Sequence, residues 1–116
     1  MTDSKPSMAN KAGFQLEPRY RQRIRLSCPV RFTAGDHVGK GQLLDLTIPG
    51  CLIESTDMVP DAQSLHLELF LPGLTFPLSV PLGVVRWRKG KQFGVEFIKM
   101  HPSQQEILRR FMTKHL

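Results

Sequence analysis

Leu65, Leu67, Leu69 and Leu71 alternate with His66, Glu68 and Phe70. A two-residue period of this kind belongs to a strand with one face on a core and the other toward solvent, so the stretch predicts a half-buried β-strand. Leu74, Phe76, Leu78, Val80 and Leu82 repeat the period, but Pro77 and Pro81 occupy the opposite phase. Neither proline has a backbone N–H to give to a ladder, which restricts this run to a sheet edge or a bulged corner. Shorter apolar runs at residues 28–33, 42–46 and 51–54 predict three earlier strands, with Thr47-Ile48-Pro49-Gly50 as a tight connection between the last two. Residues 84–88 and 93–97 read as a hairpin turning at Lys89-Gly90.

Only the end of the chain changes period. Ser103 followed three residues later by Glu106 has the form of a capping box, and Ile107, Leu108 and Phe111 fall on one helical face. Lys114 and His115 suit the carboxyl end of that helix, where cations meet the negative pole of its dipole. The predicted fold class is all-β: six or seven antiparallel strands in a small barrel, with a C-terminal α-helix. At 116 residues the chain makes one domain, large enough to bury a core without disulfides or a metal. Residues 1–17 are short of aliphatic side chains and predict a flexible arm. The domain is expected over residues 18–116, with an arginine-dense loop at 18–25, the barrel at 26–99 and the helix at 102–115.

Charge narrows the partner. A formal net charge of +6 favours an anion, whether nucleic acid, an acidic membrane surface or a phosphorylated small ligand, because net charge governs association and says nothing about fold. Cys28 and Cys51 have no Cys or His at metal-ligand spacing, so neither a zinc site nor a disulfide framework is expected and reduced thiols of a cytoplasmic protein fit best. Residues 1–13 lack the apolar core of a signal peptide, and no run approaches membrane-spanning length. His37, His66, His101 and His115 are dispersed and no acids pair, so catalysis is not expected.

Two short motifs remain. Arg19 and Arg23 stand four positions apart, a spacing that lets two guanidinium groups converge on one anion. Arginine stays charged, donates paired hydrogen bonds to phosphate, stacks on flat bases and matches the O6 and N7 edge of guanine. Asp45, Thr47 and Gly50 form the second motif, at the end of one predicted strand and the start of the next. A carboxylate there can accept from the N1 and N2 donors of guanine, and the Thr47 hydroxyl can donate or accept beside it. Gly50, after Pro49, is expected to supply a backbone angle that other residues resist. Alone, the arginines read as a solvated basic run and Asp45 to Gly50 as an ordinary capped turn.

In combination and order, the two motifs resemble those of the PilZ domain family, Arg-x-x-x-Arg on an amino-terminal loop and Asp/Asn-x-Ser-x-x-Gly on a strand connection. Val85-Arg86-Trp87, residues 93–97 and the terminal helix extend the likeness from Arg19 to the end. The resemblance implies a six-stranded antiparallel split barrel that binds cyclic di-GMP, with no cofactor or metal. It implies a receptor or adaptor whose arginine loop closes over the ligand and signals to a downstream protein in motility, biofilm or exopolysaccharide control. The ligand-binding residues carried over are Arg19, Arg23, Asp45, Thr47 and Gly50, with Arg21 as a helper and Trp87 as an aromatic wall. Arg21 and Arg25 share the motif spacing, but Arg23 before Ile24 matches the family better. Thr47 stands where the family has serine, keeping the hydroxyl and adding a methyl that restricts its rotamers. Two other readings are a PilZ-fold adaptor that does not use the ligand and a small basic barrel for single-stranded nucleic acid, which would need aromatic platforms interleaved with charge.

Overall fold

The computed structural model describes residues 22–57 and 64–115. Six strands close into an antiparallel barrel: β1 (Ile24–Ala34), β2 (His37–Leu46), β3 (Gly50–Glu54), β4 (Ser64–Leu69), β5 (Leu78–Lys89) and β6 (Gln92–Lys99). Their order around the barrel is β1-β2-β3-β6-β5-β4, with β4 pairing back onto β1 from Val30↔Leu69 to Thr33↔His66. Closure gives each of these strands a neighbour on both sides, which limits the edge available to another chain. Helix α1 (Pro102–Lys114) follows β6 and sends Leu108, Phe111 and Met112 into the core. Gln104 accepts a 2.8 Å hydrogen bond from the Ser79 N–H at the start of β5, which fixes the helix to the barrel end where β2 passes into β3.

The leucine alternation behaves as its period predicts. Leu65, Leu67 and Leu69 are buried in β4, and they meet Val30, Phe32, Leu43, Ile53, Val80 and Phe93 in one cluster. Phe32 and Phe93 pack edge to face with ring centroids 5.5 Å apart, a geometry that places the positive ring edge on the negative face of the other ring.

Several expectations are corrected. Leu74 and Phe76 are not strand: β5 begins at Leu78, and Phe76 stands 78% exposed in the connection from β4. Pro77 is the last residue before the ladder. Pro81 does lie inside β5, at a bulge where the pairing jumps from Leu67↔Val80 to Leu65↔Gly83, so its missing N–H leaves no ladder bond unmade. β1 begins at Ile24, so Ile24 and Arg25 belong to the barrel and not to a loop running to residue 25. The capping box is also absent. His101 is the N-cap, its Nδ1 accepting from the Ser103 N–H at 3.1 Å, and Pro102 opens the helix. With proline at the first turn, where its missing N–H is harmless, Ser103 is already helical and cannot cap. Glu106 instead pairs with Arg109 and Arg110. The helix ends at Lys114, and His115 is its C-cap.

Cys28 and Cys51 are free and buried. Burial pushes the Cys28 thiol up to about 11 and the Cys51 thiol higher, with Cys28 nearby adding to the effect. The folded chain therefore keeps the Cys28 proton after the unfolded chain, with its ordinary value of 9.0, has lost it. Stability from this source is full below that value and declines as pH rises toward about 11. Chemical denaturation at a series of pH values should show the wild type losing more stability across that window than Cys28→Ala does. Parallel pH profiles would contradict the assignment.

Candidate functional site

Leu43 and Leu46 of β2 are both fully buried, although residues three apart in a regular strand face opposite sides. The strand reconciles them by a bulge. Leu43 pairs with Ile53 and Asp45 with Leu52, so Leu44 is one residue more than β3 can match. Beyond it the phase is shifted, Leu46 points inward and Asp45 outward. On the other side, β1 takes up its own extra residue between Arg25 and Cys28, and this aligns Arg25 opposite Asp45.

β5 repeats the device. Val85 is buried against Val95, but Trp87 pairs with Gly94, leaving Arg86 extra. Without that bulge Trp87 would share the inward face of Val85; with it the side chain is outside and 46% exposed. Arg86 Nε donates to Glu96 Oε1 at 2.6 Å and holds the bulge against β6. The indole lies on Gly94, where a Cβ would run into its Nε1 and Cε2. Pairing thus sets one lateral row across the outer wall: Arg25, Asp45, Leu52, Gly94 and Trp87. Asp45 and Trp87 are three strand spacings apart, about 14 Å. A carboxylate and an indole bound a low floor made by Leu52 and Gly94.

At the acidic end, Arg23 Nη1 stands 4.0 Å from Asp45 Oδ2 and Arg25 Nε 3.9 Å from Oδ1. Pairs this long between largely exposed arginines and a carboxylate stabilise by at most about 1 kcal/mol and are too long to be hydrogen bonds. The Asp45 side chain is only 16% exposed, yet neither oxygen accepts a hydrogen bond from any described residue. It is a sheltered acceptor pair with positive charge on both sides and no hydrogen-bond donor among the described residues.

Thr47 and Gly50 do a different job. The Thr47 hydroxyl donates to the Gly50 carbonyl at 3.0 Å and accepts from the Gly50 N–H at 3.1 Å. The Thr47 N–H also donates to the Gly50 carbonyl, and the Pro49 carbonyl takes the Phe97 N–H. The hydroxyl therefore closes the turn beneath Asp45. Gly50 is corrected too: positive φ occurs at Gly35, Gly73 and Gly90 and not there. Glycine is needed at position 50 because β6 comes so close that a Cβ would run into the Val95 carbonyl oxygen.

Of the residues the sequence singled out, the structure brings together Arg23, Asp45, Thr47 and Gly50 at one end and sets Trp87 at the other end of the same row. Arg19 and Arg21 lie outside the described residues. Leu52 and Gly94 were given no site role, and Arg25 was set aside in favour of Arg23; the strand register, which the bulges set, brings all three into the row. An open hollow of about 430 Å³ farther along the wall, lined by Pro29, Arg31, Lys40, Gln42 and Phe70, does not include Asp45. Among the described residues no His, Cys, Asp and Glu cluster is placed to hold a metal, and no helix is long and apolar enough to cross a membrane.

The fold is thus a closed six-stranded barrel with a C-terminal helix, carrying a carboxylate between two arginines on its outer wall. The PilZ domain family model matches residues 17–114, and the chain belongs to that family of cyclic di-GMP-binding domains. The fold agrees with the crystal structure of the PilZ domain of CeSA from a cellulose-synthesizing bacterium. That structure has 15% sequence identity and a TM-score of 0.63, with 80% of this chain and 96% of that one covered. No curated protein matches.

The two hydrogen bonds of Thr47 give a direct check. Thr47→Ser should leave the denaturation midpoint nearly unchanged, because the bonds need only the hydroxyl. Thr47→Val keeps the shape but strands the Gly50 N–H, and should cost roughly 1–3 kcal/mol in chemical denaturation; a valine variant as stable as the wild type would remove the hydroxyl from this role.

Proposed function

We propose that this protein is a cytoplasmic cyclic di-GMP receptor that passes the signal to a protein partner. The observation that carries the reading is Asp45, a sheltered carboxylate whose oxygens accept no hydrogen bond from the described residues while two guanidinium groups stand beside it. Guanine offers N1–H and N2–H as adjacent donors, and a carboxylate accepts both at once. With that edge on Asp45, the base lies along the Leu52 and Gly94 floor toward the Trp87 indole. The phosphates face Arg23, and Arg19 and Arg21 of the same stretch add their charge.

Closing the arginine stretch over the ligand costs about 1–2 kcal/mol of backbone entropy per residue, and each charge-assisted hydrogen bond returns roughly 1.5–3 kcal/mol. The two are comparable, so the closed arrangement depends on the ligand. A segment balanced in this way changes surface when the nucleotide arrives, and a partner that binds one arrangement reads the messenger's concentration. In this reading the partner acts in motility, biofilm or exopolysaccharide control, which membership of the PilZ family supports.

Isothermal titration with cyclic di-GMP should give saturable binding to the wild type, with no competition from a short single-stranded oligonucleotide. Asp45→Ala and Arg23→Ala should each weaken it, the aspartate by at least about a hundredfold for two lost charge-assisted bonds, while the thermal midpoint hardly moves. Undiminished binding by both variants would overturn the proposal.

A further inference from the structure

Arg31 on β1 and Lys40 on β2 stand directly opposite each other in the strand register. Like charges in that position face each other across about 5 Å between their Cβ atoms and destabilise the sheet. β4 offsets one of them: Glu68, opposite Arg31 on its other side, meets the guanidinium Nε at 3.0 Å. The Lys40 ammonium has no partner among the described residues. Asp57 also touches this stretch, but its Oδ2 accepts the Lys40 backbone N–H at 2.8 Å.

The two cations rim the open hollow of about 430 Å³, together with Pro29, Gln42 and Phe70. Phe70 is 37% exposed, and its N–H donates to the Pro29 carbonyl at 3.0 Å, which keeps the two apolar residues side by side. Among the lining side chains the one acceptor is Gln42 Oε1, and the Ser27 hydroxyl already donates to it at 3.1 Å. What remains is donors and hydrocarbon: guanidinium, ammonium and amide N–H groups beside a ring and a proline. Such a surface is complementary to carboxylates carried next to an apolar side chain.

A free phosphate would use the cations and leave Phe70 and Pro29 in water. Single-stranded nucleic acid needs successive aromatic platforms along a basic track, and one phenyl ring does not supply them. A strand cannot be added at Arg31, which pairs with β2 on one side and β4 on the other, so a partner must be recognised through side chains. The space falls in the range of roughly 300–1,000 Å³ that suits a small ligand, enough for a few side chains of a peptide. We propose that this hollow is a docking surface for an acidic segment of a protein partner, one that carries an aromatic side chain between carboxylates. The ring rests on Pro29 and Phe70, and the carboxylates meet Arg31 and Lys40. None of these residues belongs to the row that Asp45 heads, so the surface works whether or not a nucleotide occupies that row.

The test is an amide NMR titration of the full chain with a blocked synthetic peptide, one phenylalanine flanked on each side by a pair of glutamates. Shifts should saturate and centre on Arg31, Lys40, Gln42 and Phe70. Replacing the peptide's phenylalanine by alanine should weaken binding about tenfold, and Lys40→Glu should weaken it by about the same factor. Because Lys40→Glu also ends the repulsion with Arg31, its thermal midpoint should equal or exceed that of the wild type, which separates lost docking from lost folding. No saturable shift, equal binding of a peptide with lysines in place of the glutamates, equal binding of the alanine peptide, or undiminished binding by Lys40→Glu would each overturn the proposal. Tighter binding of a short single-stranded oligonucleotide at the same residues would overturn it in favour of nucleic acid.

Discussion

β2 has to bury Leu43 and Leu46 on the same side of the barrel, and the site depends on how it does so. Their spacing is odd, so the strand must either expose a leucine or slip by one residue. Full burial of a leucine stabilises by roughly 1.5–3 kcal/mol, more than a local break in the ladder costs, and the slip at Leu44 follows. Asp45 is turned outward as a result. The same trade in β5, with Val85 kept in the core, turns Trp87 outward at the far end of the row. Core packing thus aims the two chemically distinctive residues of the outer wall.

The surroundings preserve what the bulges create. Thr47 satisfies Gly50 from within the turn, so the connection next to Asp45 is closed by its own side chain and Asp45 need not cap it. That relieves the carboxylate of the structural duty Asp usually has in such turns. Gly50 and Gly94 act by absence, one letting β6 approach the turn and the other giving the indole a place to lie.

Much of this was legible in the sequence. The leucine alternation predicts β4, the hairpin at Lys89-Gly90 has its glycine at φ +63, and the two motifs point to the family whose model matches residues 17–114. Where the reading failed, a nonlocal or competing effect decided. Phe76 shares the period of Val80, but Pro77 stops the ladder first. Ser103 and Glu106 have capping-box spacing, but Pro102 had already opened the helix and given the cap to His101. That Arg25 lies opposite Asp45 and Gly94 opposite Leu52 was not legible, because a bulge leaves no local mark: its position follows from which residues two other strands bury, and a period counted along one strand does not contain that.

If cyclic di-GMP docks where the bulges point Asp45, the protein's backbone amide NMR spectrum during titration will report it most directly. The largest shifts should fall on Arg25, Asp45, Leu52, Gly94 and the indole of Trp87, with Gly35 and Gly90 at the opposite end of the barrel unmoved. Shifts gathered instead around Arg31, Lys40 and Phe70 at the neighbouring hollow, or no saturable shift at all, would contradict docking on Asp45.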